Sequence, residues 1–332
     1  MSFKKEYLIL IAVIAVLVLY LTTRSANHEG ELAQPQKVES ADIKRLVVTD
    51  KKNTPLELVK KDDRWVIEPQ GYPADSVKVK NMLNAASDLT LTAIVSESGA
   101  LDRYGLTGDE KITVQAFSDG TPVRSFTVGK AAPTFQHTFV LLEGDPKVYH
   151  ARGQLKRTFE QSADALRDKT IFDIDQAAIT SLTLQKGTRT VTLVKKELPK
   201  EAAEASADKP ADAENTETPA AAPVFEWQNA DSGQAVDQTQ VDSLLGDIAH
   251  LDADAYMDDS AKEGLGDAQW QVTFKKAEET FSLAVYPKQD DAADKLPATA
   301  SSTPYAFLLD TPHVENIAKD LDALLGQEEK TQ

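Results

Sequence analysis

The sequence has 332 residues, and its 36 basic and 53 acidic side chains give a formal net charge of 36 − 53 = −17, which argues against sequence-independent nucleic-acid binding. There is no cysteine, which excludes disulfides, thiolate metal sites, cysteine nucleophiles and lipid attachment through an N-terminal cysteine. The length and the 41% apolar content are sufficient for two domains, each with its own core.

The sequence begins with an uncharged apolar run, residues 7–21 (YLILIAVIAVLVLYL). A helix of this length is about 22 Å long, and flanking apolar residues and lysines extend it towards the ~30 Å hydrocarbon core of a membrane. An anchor and a cleavable export signal both fit the run. Cleavage after Ala26 would place Arg24 where signal peptidase needs a small residue, so we favour an uncleaved transmembrane anchor over residues 7–23.

Charges around the apolar run predict its orientation. Lys4, Lys5 and the terminal amine outnumber Arg24, and the positive-inside rule places the more basic end in the cytoplasm. We therefore expect a single-pass membrane protein. Residues 1–6 would be cytoplasmic, residues 24–40 would be a linker, and the body would lie outside the cytoplasm.

After the linker, one pattern of apolar residues occurs twice, which predicts two tandem α+β repeats, residues 41–170 and 177–326. Each copy begins with three segments that alternate apolar and polar residues, as half-buried antiparallel strands do. The third segment of each copy contains an inward-looking tryptophan, Trp65 or Trp227, for which core packing is favoured over a carbohydrate-binding platform. The segments begin at Ile43, Leu56 and Trp65 in the first copy and at Ile179, Val191 and Phe225 in the second.

A helix with an aspartate before it follows in both copies. Asp75 and Asp237 each precede apolar residues that recur at the spacing of one helix face, so we predict that both are N-caps. A pair of catalytic carboxylates is the less favoured alternative. The apolar positions are Val79, Met82, Leu83, Ala86 and Leu89 in the first copy and Val241, Leu244, Leu245, Ile248 and Leu251 in the second.

The second half of each copy continues with a glycine turn, in which Gly105 or Gly264 is predicted to supply a left-handed helix cap. Two further strands follow in each copy. Residues 138–142 are then predicted to match residues 306–309, and residues 148–150 to form a strand in the first copy alone. A closing helix is predicted over residues 153–166 and over residues 313–325.

Two polar segments of the second copy are predicted to be loops. Residues 197–223 contain seven acidic residues, four prolines and almost no large apolar side chain. Such a segment cannot bury enough surface to offset the entropy lost on ordering, so we expect a disordered acidic insertion. Residues 287–304 are a shorter segment of the same kind. Solvated loops without a partner are favoured over a docking tail for both.

No catalytic, cofactor-binding or metal-binding residue is assigned from the sequence, which lacks the GxSxG, HExxH and phosphate-loop patterns. His137 and His150 could face one another across neighbouring strands, but surface or core histidines are favoured over metal ligands or a general base. Acidic pairs such as Asp62-Asp63 lie in polar stretches typical of turns. The five histidines, none with HxH or HxxxH spacing, are His28, His137, His150, His250 and His313.

These paired elements resemble the bacterial family called domain of unknown function 4340, over about residues 41–326. The resemblance implies one membrane anchor, an extracytoplasmic body, and association with an ABC transporter permease and a gliding-motility-type auxiliary subunit. It implies no catalytic residues. In the second copy Glu263 replaces the tyrosine of the first copy's pattern. The residues that carry the resemblance are Lys60-Lys61-x-x-Arg64-Trp65, Ala74-Asp75, Asp102-x-Tyr104-Gly105-Leu106 and Val148-Tyr149.

From the residues and the resemblance together we expect a membrane-anchored periplasmic accessory or interaction module of an envelope ABC-type transport complex. We expect no enzymatic activity and no cofactor. The expected partners are the inner membrane and permease or auxiliary subunits, without nucleic acid. The alternatives are a periplasmic protein that binds a small molecule or lipid between the repeats, and an unrecognised hydrolase. A deep apolar cavity would favour ligand binding, convergent titratable groups an enzyme, and a flat apolar patch a protein partner.

Overall fold

The protein has a mixed α+β fold with mostly antiparallel sheets, as the sequence predicts. It separates into two compact units, Met1–Asp168 and Lys169–Gln332. Each unit holds its own hydrophobic core. The computed structural model describes residues 13–19, 32–50, 55–97, 99–198, 224–288 and 294–326.

Residues 13–19, which belong to the predicted anchor, form a helical segment with exposed side chains. Within the described ranges, no helix is both long and apolar enough to cross a membrane. The remaining residues of the predicted anchor and the predicted cytoplasmic residues 1–6 lie outside the described residues. The acidic segment also falls largely outside them, since the description stops at residue 198 and resumes at residue 224.

From residue 32 onward, the described part of the first unit contains nine strands and three α-helices. All nine strands form one antiparallel sheet in the order β4-β3-β2-β1-β6-β7-β8-β9-β5. One face of the sheet packs with the helices in the core, and the opposite face is here called the outer face. The strands are β1 (Arg45–Asp50), β2 (Leu56–Lys61), β3 (Arg64–Glu68), β4 (Tyr72–Pro73), β5 (Leu91–Ser96), β6 (Ile112–Ser118), β7 (Thr121–Ala131), β8 (His137–Leu142) and β9 (Val148–Arg152), and the helices are α1 (Ser76–Ser87), α2 (Leu155–Phe159) and α3 (Ala163–Leu166).

The second unit contains an eight-stranded sheet in the order β13-β12-β11-β16-β17-β18-β19-β15 and a two-stranded sheet of β10 and β14. Two long helices pack on the core of this unit. The strands are β10 (Thr170–Asp173), β11 (Ile179–Lys186), β12 (Arg189–Glu197), β13 (Phe225–Asn229), β14 (His250–Asp252), β15 (Ala255–Tyr256), β16 (Trp270–Lys276), β17 (Glu279–Val285), β18 (Lys295–Ala300) and β19 (Phe307–Asp310), and the helices are α4 (Gln238–Ala249) and α5 (Thr311–Gly326).

The two large sheets have the same strand order. Apart from the short β4, strands β3-β2-β1-β6-β7-β8-β9-β5 correspond one by one to β13-β12-β11-β16-β17-β18-β19-β15. Trp65 pairs with Lys60 across β3 and β2, and Trp227 pairs with Lys195 across β13 and β12. The two tryptophans therefore occupy the same register, although Trp227 is 4% exposed and Trp65 is half-buried.

Two predictions for the last strands are wrong. Residues 287–304 are not a continuous loop, because Lys295–Ala300 forms β18 and buries Leu296 and Ala298. As a result β19 corresponds to β9 rather than to β8, and the strand that contains residues 148–150 is not unique to the first copy. The signal of β18 is weak because Pro297 and small alanines interrupt the apolar alternation that identifies strands. Residues 289–293 lie outside the described residues.

The closing helix of the first copy is also shorter than predicted. Residues 153–166 form two short helices, α2 and α3, which are separated at residues 160–162. In the second copy α5 is one continuous helix of 16 residues. Its buried residues recur at helical spacing, and they are Val314, Ile317, Leu321, Leu324 and Leu325.

Candidate functional site

The two aspartates that precede the long helices are N-caps, as predicted. Asp75 Oδ1 accepts hydrogen bonds from the N–H groups of Val77 at 2.9 Å and Lys78 at 3.0 Å, and Asp237 makes the corresponding bonds at the start of α4. Burial raises the pKa of Asp75, but hydrogen bonds from Lys78 and Val77 and the charge of Lys78 outweigh burial, so the pKa is lowered. Both carboxylates therefore stabilise their helices.

The segment of residues 101–106 covers part of the outer face of the first sheet. It contains a 3-10 turn, Leu101–Tyr104, which ends at Gly105 with φ +66°, the predicted left-handed cap. A Cβ on Gly129 of β7 would lie 2.2 Å from the carbonyl oxygen of Tyr104. The lack of a side chain at Gly129 thus allows the turn to lie directly against the sheet.

The corresponding turn of the second unit has a different construction. The 3-10 turn Ala261–Gly264 is followed by Leu265 in a right-handed conformation, φ −75°. The predicted left-handed cap at Gly264 is therefore wrong, because the positive φ occurs two residues later, at Gly266 with φ +72°. Glu263 stands where the first unit has a tyrosine, so this turn brings no aromatic ring to the sheet.

Four rings form a continuous cluster on the outer face of β8 and β9. The ring centroids are 4.9 Å apart for Tyr104 and Phe139, 4.8 Å for Phe139 and His150, and 5.6 Å for the stacked rings of His150 and His137. The predicted approach of the two histidines across neighbouring strands is confirmed. These four residues are called the aromatic–histidine cluster below.

His150 has the most restricted environment in the cluster. Its Nε2 atom is buried and makes no hydrogen bond within the described residues. Burial, together with the nearby His137, lowers the pKa of His150 and favours the neutral imidazole. Within the described ranges, no group of three or more histidine, aspartate or glutamate side chains could hold a metal ion. The cluster is therefore best described as a mainly apolar, aromatic surface.

Strand β5 forms an edge of the sheet beside this cluster. Within the described ranges β9 is its only strand partner, and Ala93 is the register partner of His150. The strand has no charged residue (LTAIVS), and Thr92, Ala93 and Ile94 are exposed, with 41% of Ile94 accessible. Strand β5 was not among the predicted strands, although the alternation of leucine and threonine before Ala93 and the β-branched residues after it are typical of a strand.

The side-chain amide of Gln34 occupies the first position of this edge. Its Nε2 donates to the carbonyl oxygen of Leu91 at 2.9 Å, and its Oε1 accepts from the N–H of Leu91 at 2.9 Å. The carboxamide thus makes the two bonds that a residue of a neighbouring strand would make. Gln238 makes the same pair of contacts with Trp227 on the edge of the second sheet, at 2.8 and 3.1 Å.

The other two described histidines, His250 and His313, lie outside the cluster. His250 Nδ1 lies 2.9 Å from Asp173 Oδ1, and both side chains are exposed. His313 Nε2 lies 3.2 Å from the carbonyl oxygen of Asp247. Burial raises the pKa of Asp247, against the effect of His313, and Asp320 raises it further. His28 lies outside the described residues.

The described acidic pairs lie in turns or irregular stretches, and the tryptophans pack in or against the hydrophobic cores. Asp62 and Asp63 form the turn between β2 and β3, as predicted, and Asp62 has φ +53°. Trp270 is 2% exposed and packs in the second core together with Trp227. Asp258 and Asp259 lie in a short irregular stretch before the 3-10 turn, and residues 290–291 lie outside the described residues.

Open clefts in the described part of the chain lie away from the cluster, among them the following three. A cleft of about 330 Å³ lies between α1 and α2 and is lined by Lys78 and Arg157. Another of about 490 Å³ follows the outer face of β6, β7 and β8. The third, of about 510 Å³, lies in the second unit beside Lys195 and Trp227. None of these three clefts contains a histidine, so the described histidine chemistry lies outside them.

Comparison with known proteins gives a match to one family model. The model is described as Domain of unknown function (DUF4340), and it matches residues 65–269. This range begins at Trp65 in the first unit and ends immediately before β16 in the second unit. It includes β5 and the aromatic–histidine cluster. No curated protein and no solved structure matches the chain.

Proposed function

The chain belongs to the family described as Domain of unknown function (DUF4340), whose model matches more than half of its residues, and we propose that it is an accessory or interaction module of an envelope ABC-type transport complex. In this proposal, residues 7–23 anchor the chain in the bacterial inner membrane and the two α+β repeats lie in the periplasm. The sequence's resemblance to membrane-anchored family members that accompany ABC transporter permeases supports this context, and that support is an analogy between family members.

The observation that supports an interaction role is the uncharged β5 edge beside the aromatic–histidine cluster. Exposed strand edges present unpaired backbone groups, and proteins usually protect them with charges, prolines or covering segments. Here the edge strand has neither charge nor proline. Ile94 is 41% exposed, and Phe135, in the turn before β8, is 68% exposed. Apolar groups exposed beside open backbone are typical of surfaces that bind other proteins.

Affinity purification of the full-length protein from crosslinked membranes of its native host tests the proposal. We expect a permease, its ATP-binding subunit and an auxiliary subunit to co-purify in comparable amounts. A matched control replaces residues 1–26 with a cleavable export signal, so that the body reaches the same compartment without an anchor. The control should recover much less of the complex. Recovery of the intact protein without any transporter subunit would contradict the proposed function.

The proposed topology has its own test. Protease added to spheroplasts should digest the body of the protein, because the proposal places it outside the cytoplasmic membrane. Full protection from protease would contradict this orientation. Sequencing the N-terminus of the mature protein should find Met1 or Ser2, whereas a mature form that lacks residues 1–26 would contradict an uncleaved anchor.

A further inference from the structure

We propose that the free edge of β5 binds an extended segment of a partner protein as a tenth strand of the first sheet. In this arrangement a large apolar or aromatic side chain of that segment lies over Ala93 and against His150. The inference rests on the proposed interaction function, and it specifies the surface and the chemistry of the partner segment.

Among the outer strands of the two large sheets, β5 is the longest in the described part of the chain. Strands β4 and β15 have two residues each, and β4 contains Pro73. Strand β13 has five residues, but Ala235 bridges Gln228 on its outer side and Gln238 binds the backbone of Trp227. Strand β5 has six residues. It is therefore the edge that combines length, exposure and lack of charge.

The contact with Gln34 indicates what kind of group this edge binds. The two 2.9 Å hydrogen bonds to Leu91 are those that the backbone amide of an added strand would make. Beyond Leu91, the backbone of residues 93–95 makes no hydrogen bond outside its pairing with β9 within the described ranges. A peptide backbone placed beside Gln34 would continue the same pattern. Strand addition of this kind obtains affinity from the backbone and specificity from alternate side chains.

Ala93 determines which side chain fits. Register partners on neighbouring strands have their side chains on the same face of the sheet, so the methyl group of Ala93 lies beside the ring of His150. A single methyl group is too short to extend over that ring. The ring of His150 packs against the rings of His137 and Phe139, so an apolar or aromatic side chain placed over it extends this packing. An aromatic side chain opposite Ala93 could contact His150 and, behind it, Phe139.

The shape of β5 restricts the partner segment to a short one. The pairing of β5 with β9 shifts register between Leu91 and Ala93 and again between Ile94 and Ser96. Such bulges bend a strand and increase its twist, so a long straight strand would separate from the edge. The segment that fits is therefore a few residues long, uncharged in its centre, and carries its large side chain at the position opposite Ala93.

A designed peptide tests the inference on the full-length protein in detergent. The probe alternates threonine and valine around one central phenylalanine and has a lysine at each end for solubility. A matched peptide carries N-methyl groups on alternate amides, which removes the donors needed for strand addition. We expect the first peptide to slow amide hydrogen exchange in residues 91–97 and the N-methylated peptide to leave it unchanged. Equal protection by both peptides, or protection by neither, would overturn the inference.

Two variants test whether the peptide binds at the β5 edge. Ala93→Arg places a long charged side chain over the His150 ring at an exposed position, so we expect at least a tenfold loss of peptide binding with the fold intact. Thr280→Arg introduces the same side chain at an exposed position of β17 in the second unit, and this variant should bind the peptide normally. Equal binding by both variants would overturn the inference.

The same variants separate this inference from the proposed function. If wild-type protein co-purifies with transporter subunits and the Ala93→Arg protein co-purifies with equal amounts, the β5 inference is wrong while the proposed function stands. If wild-type protein recovers no transporter subunit, the proposed function is wrong. The hydrogen-exchange experiment with the peptide then still decides whether β5 accepts a strand.

Discussion

The two units share one strand order but differ in charge. Met1–Asp168 contains 22 acidic and 22 basic residues, whereas Lys169–Gln332 contains 31 acidic and 14 basic residues, so the whole net charge of −17 belongs to the second unit. Charge of this kind affects solubility and association rather than fold. The comparison shows that one chain path can carry two different surfaces, a neutral one with an open edge and an acidic one.

The two units also differ at the sheet position that contacts the 3-10 turn in the first unit. In the first unit, Gly129 of β7 follows the buried Val128. Its lack of a side chain allows the Tyr104 turn to contact the sheet. In the second unit, Tyr286 follows Val285 at the corresponding position, and its hydroxyl lies 3.2 Å from Thr299 Oγ1. The first unit therefore brings the Tyr104 turn onto the sheet at a glycine, whereas the second unit has a tyrosine at the corresponding position.

The largest difference between equivalent positions is expected for the tryptophans. Trp227→Ala removes a side chain that is 4% exposed and should lower the free energy of unfolding by about 3 to 5 kcal/mol. Trp65→Ala should cost roughly half as much, because Trp65 is half-buried and leaves a smaller cavity. Denaturant titration of both variants measures the difference. Equal losses of unfolding free energy in the two variants would contradict the expected difference in packing between the two tryptophans.

A large effect is also expected at Gly129. Gly129→Ala places a methyl group 2.2 Å from the Tyr104 carbonyl oxygen and should destabilise the first unit by about 3 kcal/mol. Gly246→Ala is the matched control, since a Cβ there meets no atom within 4 Å and helix α4 should gain about 1 kcal/mol. Thermal denaturation followed by circular dichroism compares them. A neutral Gly129→Ala variant would contradict the close contact between the turn and β7.

The helix caps should behave alike in the two units. Asp75→Ala and Asp237→Ala should each cost about 1 kcal/mol, because each removes an acceptor for two N–H groups of the first turn. The pKa of Asp75 is lowered in the folded state, so its contribution is present above the ordinary aspartate pKa of about 3.9. That contribution is lost as the pH falls through the lower folded value. Denaturation midpoints at neutral and acidic pH measure both effects, and a loss in only one unit would contradict equivalent capping.

The smallest effect concerns His150 and appears only in acid. Its pKa is lowered in the folded state, so the unfolded chain takes up a proton at higher pH than the folded chain does. Stability should therefore fall as the pH decreases from about 6.5 through the lower folded value. His150→Phe keeps a ring and should remove this loss, whereas His250→Phe in the second unit should retain it. An unchanged acid response in His150→Phe would contradict the buried neutral imidazole.

Much of the duplicated fold was predictable because apolar residues recur at the spacings of strands and of helices in both copies. Asp75 and Asp237 precede apolar runs of identical spacing, and both are caps. Strand β18 was missed, since Pro297 and the alanines around it give little apolar contrast even though Leu296 and Ala298 are buried by neighbouring strands. Pairing with β17 and β19 stabilises this strand, and the local sequence contains no pattern that indicates the pairing.

The candidate site was predictable only in part. The approach of His137 and His150 follows from their positions on consecutive strands, which the sequence indicates. Strand β5 is hard to predict because two register shifts interrupt its pairing with β9 and only its first residue is buried, so its apolar alternation is short. The contact between Gln34 and Leu91 joins residues 57 positions apart. A single sequence carries no local signal for such a contact.

Site-specific photo-crosslinking in native membranes tests most directly whether the first unit is the interaction unit. A photoreactive residue replaces Ala93 at the β5 edge in one strain and Thr280 on β17 in another, both in the full-length protein. The account predicts crosslinks from position 93 to a permease or auxiliary subunit, and few or none from position 280. Crosslinks to transporter subunits from position 280 alone, or none from position 93 while the complex is intact, would contradict it.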